Sequence, residues 1–153
     1  MKKPTVYITI DKWWELRTYC KLAAPSEISG LGSVTVIKNN IFINSVFLLR
    51  QESSAGSTDL NPDGIAEMMM EMINANIDTG GIKLWWHTHG NGGVFWSSTD
   101  DKTADSFGNG WMLSIVINTK GEYRARLDIY EPFKATLDEL DIEFTADINY
   151  AEL

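Results

Sequence analysis

Residues 84–100 read LWWHTHGNGGVFWSSTD and contain both histidines of the 153-residue chain, His87 and His89. Side chains alternate across a β-strand, so His87 and His89 project from one face together with Trp85. Ile82, Leu84 and Trp86 then point the other way, into a core. Two imidazoles side by side on a strand supply half of a tetrahedral zinc site. The competing reading is a pair of hydrogen-bonded or exposed histidines at a strand end. A third ligand lies downstream, because Ser97 and Asp100 follow the stretch from Gly90 to Trp96. Glycines at 90, 92 and 93 let the chain leave the strand sharply. Ser97-x-x-Asp100 is also the pattern of a helix N-terminal capping box. The two roles can coexist, since an aspartate in a first helical turn is held firmly enough to face the histidines. Ser98 rivals Ser97, and Asp101 rivals Asp100.

These residues need a strand and a helix to hold them, and the rest of the chain supplies a scaffold. PTVYITI alternates as a strand should, and Asp11 is the expected N-cap of a first helix ending at Pro25. Trp13, Leu16, Cys20 and Ala23 share one face of that helix. SVTVIK and IFINSVFLLR flank Asn39-Asn40, a two-residue hairpin signal. After the loop QESSAGSTDL, Pro62 suits the first turn of a second helix. Ile65, Met68, Met69, Met72 and Asn76 lie on its core side, and Gly80-Gly81 is its expected end. IKLWWHTH reads as a buried strand and STDDKTADSF as a short helix. WMLSIVIN and EYRARLDIYEP form a hairpin around TKG, and LDELDIEFTA adds a final strand. The order β-α-ββ-α-β-α-ββ-β predicts an α/β or α+β sandwich, a mixed sheet flanked by helices, in one domain over residues 1–153.

Composition narrows the chemistry. A net charge of −8 argues against nucleic acid or an anionic membrane as partner and fits a basic protein surface. No apolar run approaches membrane-spanning length, and MKKPTVYITI lacks the apolar stretch of a signal peptide. The single cysteine, Cys20, cannot form an internal disulfide, so a reducing cytoplasm is the expected compartment. Cys20 also sits on an apolar helix stripe, which makes it a core thiol rather than a nucleophile. A serine-histidine-acid triad would need one of two histidines whose pairing suits a metal better. Phosphate loops, dinucleotide fingerprints and cysteine-based zinc sites are absent.

His87-Thr-His89, seven residues, Ser97, two residues, Asp100 resembles the H-x-H-x7-S-x-x-D signature of the JAMM (JAB/MPN) zinc metalloproteases, matched at every position. That family carries an upstream glutamate in a context like E-x-x-G-x-x-G. PSEISGLGSVTV places Glu27 before Gly30 and Gly32, with the second glycine one residue early. The resemblance spans most of the chain and implies a JAB/MPN-like (cytidine-deaminase-like) sandwich holding one Zn2+ on His87, His89 and Asp100. It further implies Glu27 as general base and Ser97 as hydrogen-bond donor to the developing oxyanion. The implied reaction is hydrolysis of an isopeptide or peptide bond, as in deubiquitinases. The implied substrate is a ubiquitin-like or sulfur-carrier-like protein with a Gly-Gly tail. Gly90 to Gly93 would admit such a tail, and Phe95 and Trp96 would either wall its groove or join the core. Loops too short for the ubiquitin-gripping insertions suit a minimal prokaryotic or phage-type member. A peptidase acting on a tail-assembly or cell-wall peptide, and a metal-free MPN scaffold, are the alternatives.

Overall fold

Val6 and Ile8 alternate with half-exposed neighbours, and this period of two makes the first strand, β1 (Thr5–Thr9). The computed structural model of the chain describes residues 2–49 and 62–149. The helix α1 (Ile10–Ala23) follows β1 with no loop between them. Its N-cap is therefore Thr9, still extended at φ −73 and ψ 152, and not Asp11 as the sequence predicts. Asp11 falls in the first turn, where a carboxylate faces the positive end of the helix; the Thr9 side chain holds its carboxyl below the usual range. Trp13, Leu16 and Cys20 are buried along the expected stripe, and Ala23 packs at its margin.

The strands β2 (Ser29–Ile37) and β3 (Asn40–Leu48) form the hairpin, with β2 reaching further back than SVTVIK. Its turn sits one residue earlier than Asn39-Asn40, because Ile37 pairs with Asn40 and Lys38 takes φ 57. The loop QESSAGSTDL lies outside the described residues. In α2 (Pro62–Asn74), Met68 and Met72 are buried, with Ile65 and Met69 packed beside them. The helix ends at Asn74 rather than at Gly80-Gly81, and Asn76 is exposed instead of joining the stripe. Asn76 takes φ 60, and two hydrogen bonds close the end: Ile77 N–H to the Met72 carbonyl at 2.8 Å and Asn76 N–H to the Ile73 carbonyl at 3.0 Å. This is a Schellman motif, which an asparagine can serve. Gly80 and Gly81 form a separate 3-10 turn capped by Asp78.

The remaining elements are β4 (Ile82–Thr88), α3 (Ser98–Phe107), β5 (Trp111–Ile117), β6 (Tyr123–Ile129), β7 (Ala135–Leu137) and β8 (Ile142–Thr145). The last segment thus holds two strands where one was expected. Among the described residues the fold is a mixed α+β structure, one eight-stranded sheet of order β7-β6-β5-β4-β2-β3-β1-β8 with three α-helices. Trp13 touches Tyr123 of β6 at 5.4 Å and Phe144 of β8 at 5.1 Å between ring centroids. The sheet therefore curls around α1, whose stripe packs on Leu84, Trp86, Leu113, Ile115 and Ile117. The other face, with Trp85, Leu31 and Met112, receives Met68 and Met72 of α2 and Ala104 of α3. Ile82 belongs to this second face and not with Leu84. Between Gly32 and Ser33 the register slips, leaving Lys83 as an extra residue that breaks the alternation. No described helix is long and apolar enough to cross a membrane.

Gly30 shows how tightly β2 and β4 are fitted. A Cβ there would overlap the Phe47 carbonyl oxygen and come within 2.5 Å of the Trp86 indole. That indole crosses the strand to donate from Nε1 to the Leu31 carbonyl at 3.1 Å. Gly30→Ala is expected to destabilise the protein by about 3 kcal/mol, read as a lower denaturant midpoint with an unchanged slope.

Candidate metal centre

The backbone of the histidine pair is locked from both sides. Ser29 of β2 pairs with His87, and Val116 of β5 pairs with it from the other edge. Thr88 N–H donates to the Ile28 carbonyl at 2.9 Å, and Ile28 N–H donates to Thr88 Oγ1 at 3.0 Å. His89 N–H reaches the Ile117 carbonyl at 2.9 Å. Alternation then places both imidazoles on the face of Trp85, over which His87 stacks at 4.4 Å and 11°. Both are buried, His87 to 3% and His89 to 7% exposure.

The chain turns away at Gly90, which has φ 54 and lies so close to Pro25 that a Cβ would meet its carbonyl oxygen at 2.7 Å. Only glycine meets both demands. The loop is then pinned by the β5–β6 turn. Buried Asn118 donates from Nδ2 to the Gly92 carbonyl at 2.9 Å, while its Oδ1 accepts from Lys120 N–H at 3.1 Å and Glu122 N–H at 3.0 Å. Asn118 is not among the residues that the motifs single out, although an asparagine ahead of a Thr-Lys-Gly turn is a recognisable signal. Asn118→Ala removes these three hydrogen bonds together and is expected to cost about 1–3 kcal/mol, measured by thermal unfolding.

The pinned loop fixes the state of His89. Its Nδ1 lies 2.9 Å from the Gly93 carbonyl, which can only accept, so Nδ1 carries the proton. Nε2 is left facing Asp100. Asp100 arrives from α3, whose N-cap is Ser97. Ser97 Oγ accepts from Asp100 N–H at 3.0 Å, and Asp100 Oδ2 accepts from Ser97 N–H at 2.9 Å. The capping box is thus complete, with aspartate in place of glutamate, and the same carboxylate faces both histidines. Oδ1 is 3.2 Å from His87 Nε2 and Oδ2 is 3.1 Å from His89 Nε2. The capping role and the histidine-facing role coexist on one side chain. Ser98 and Asp101 are both exposed, and Asp101 pairs with Arg126 at 2.7 Å instead. Phe95 is exposed beside the His89 ring at 4.7 Å, so it walls the site. Trp96 is half-buried and donates from Nε1 to Asp138 Oδ1 at 3.1 Å.

Burial and charge divide the protons among these groups. Burial pushes the Asp100 carboxyl up, but its contacts with His87 and His89 outweigh this and hold it well below the usual range. Burial lowers His87, so that imidazole stays neutral. Burial also acts against charge on His89, yet Asp100 and the Gly93 carbonyl more than offset it, and its affinity for a proton rises. Glu27 lies half-buried between α1 and β2, two residues before Ser29. Burial raises its carboxyl, Asp100 adds to that, and His89 opposes it, so the field of the centre reaches Glu27.

One nitrogen each from His87 and His89 and one Asp100 oxygen lie within 4.8 Å of one another, a group that could hold a metal ion. The His87 ring supports this fit. Among the described residues neither of its buried nitrogens has a hydrogen-bond partner, the contact to Asp100 lacking the alignment of one. A cation at Nε2 would satisfy a group that is otherwise costly to bury. Such an ion would compete with the second proton that His89 takes up, at Nε2 facing Asp100. Because that proton is held more tightly than on a free imidazole, metal affinity is expected to fall about tenfold per pH unit from a point above the ordinary histidine range downward, with one proton released per ion there, as titrations in two buffers would read.

No protein-family model matches the chain, and no curated protein matches its sequence. Among solved structures it is similar to DSY2949 of Desulfitobacterium hafniense, known from a solution structure, with a TM-score of 0.74 and 14% identity. The match covers 95% of this chain and 97% of that one, and at such low identity it speaks to fold alone.

Proposed function

We propose that the chain is a zinc-dependent hydrolase of the JAMM type that cleaves an isopeptide or peptide bond. The observation that carries this reading is the convergence of His87, His89 and Asp100 on one point, with Asp100 fixed by its own helix cap. Three ligands, one of them a carboxylate, leave a coordination position open, the arrangement of catalytic rather than structural zinc. The element order, the mixed sheet and the helices on both faces support a JAB/MPN-like fold.

When bound, zinc lowers the pKa of water and polarises a carbonyl. The chain supplies the rest. His87, His89 and Asp100 would hold the ion. Glu27, its carboxyl raised toward the working range, takes a proton during attack and returns it to the leaving amine. The Ser97 oxygen is occupied in accepting from Asp100 N–H, which leaves its hydroxyl hydrogen to donate to the developing oxyanion.

The substrate in this reading is a ubiquitin-like or sulfur-carrier-like protein bearing a Gly-Gly tail, with Phe95 beside the scissile bond. A Gly-Gly isopeptide probe should be cleaved by zinc-loaded protein and spared after chelation. Zinc-loaded protein that ignores this probe but cleaves a cell-wall or tail-assembly peptide would replace the substrate and keep the chemistry. Protein that takes up no zinc would leave a non-catalytic scaffold.

A further inference from the structure

The centre works only if α3 begins in one orientation, and α3 has little apolar hold on its first turn. Of its ten residues only Asp100 and Ala104 are buried. A helix so short does not set its own direction, so polar contacts must do it. One guanidinium lies against both flanks of the Ser97–Asp100 motif. Arg126 of β6 is buried on the face that receives α3, opposite Ser114, which in turn pairs with Trp85. Its Nη1 donates to Asp101 Oδ1 at 2.7 Å, and its Cζ sits 4.7 Å from the centre of the Trp96 ring. Trp96 directly precedes Ser97, and Asp101 directly follows Asp100. The guanidinium is itself fixed from behind, where Nε donates to buried Asp128 Oδ2 at 2.9 Å and Thr136 Oγ1 donates to Asp128 Oδ1 at 2.8 Å.

We propose that Arg126 is a positioning residue for the metal centre, gripping Trp96 and Asp101 so that Ser97 and Asp100 face His87 and His89. The proposal rests on the reading of those ligands as a metal site. It also explains why an arginine stands there. A planar fork can bind two carboxylates and stack on an indole at once, and an ammonium cannot. Asp101, the unsuccessful rival for the ligand position, then has its own task as the handle by which α3 is held.

Arg126→Lys keeps the charge and removes the fork, and Asp101→Ala cuts the α3 arm at an exposed position while leaving Arg126–Asp128 intact. In the metal-free full-length protein, amide exchange at Ser97 to Asp101 should quicken about tenfold in both variants, with Met112 to Ile117 unchanged. Zinc affinity should fall about 10–100-fold while circular dichroism stays that of wild type. A purely structural ion pair predicts a lower melting temperature with wild-type zinc affinity in the folded protein, and that result overturns the proposal. Unchanged exchange at Ser97 to Asp101 overturns it equally. Wild-type protein that binds no zinc overturns the metal reading instead, and the exchange rates then decide by themselves whether Arg126 holds the turn.

Discussion

Replacing His89 with alanine is expected to abolish metal uptake and, on the proposed function, the hydrolysis that depends on it. With Nε2 of His89 gone, His87 and Asp100 remain, two donors where a group of three could hold an ion. Structural zinc sites bind with about 10–16 kcal/mol, and at an energy of that order the loss of one donor of three removes several kcal/mol, or more than about a hundredfold in affinity. The same substitution leaves the Gly93 carbonyl without its donor and takes from Asp100 Oδ2 one of its two partners, leaving the Ser97 N–H. Metal content after dialysis and competition with a chromophoric chelator measure the loss directly. A His89→Ala protein that retains stoichiometric metal would move the ligand set elsewhere.

Glu27→Gln should separate binding from chemistry. Glu27 is not among the clustered ligands, so metal content stays at wild-type level while turnover of the isopeptide probe falls about 10²–10⁴-fold. Stability supplies an independent sign. The folded carboxyl is raised by burial, so ionisation is harder in the native state than in the unfolded chain. Ionised Glu27 therefore works against folding above its unfolded pKa, and native stability gains as pH falls through the raised value. The neutral amide removes that penalty, so Glu27→Gln should melt no lower than wild type at pH 7. A residue conserving structure alone would show the opposite pattern, a lower melting temperature with turnover intact. In the wild type the acid limb of the activity profile should lie above the ordinary glutamate range.

What could be read from the chain in advance was what short-range periodicity decides. The face shared by Trp85, His87 and His89 follows from alternation alone, and the start of α3 from Ser97 and Asp100 three residues apart. The stripe of α1 follows from Trp13, Leu16 and Cys20. Boundaries failed where pairing partners override local preference. Lys38 adopts a left-handed turn because Ile37 is held opposite Asn40, and Ile82 changes face because Lys83 is squeezed out of register with β2. The sheet order was not legible either, since nothing local in DIEFT says that it will lie parallel to β1. The supports of the site were missed for a related reason. Asn118 and Arg126 act on residues distant in sequence, and each would pass for an ordinary turn or strand residue without its partners.

Asp100 gives the centre a property beyond ligation. One oxygen of its carboxylate accepts the Ser97 N–H and also faces His89, so the beginning of a helix and the seat that an ion could take are made from the same atoms. Coupling of that kind is reciprocal: whatever an ion adds to the firmness of α3, the firmness of α3 adds to the hold on the ion, by the same factor. Metal occupancy in this protein would then be a thermometer for one turn of helix. A substitution far along α3 that loosened that turn would register first as lost metal, well before the sheet beneath it felt any change.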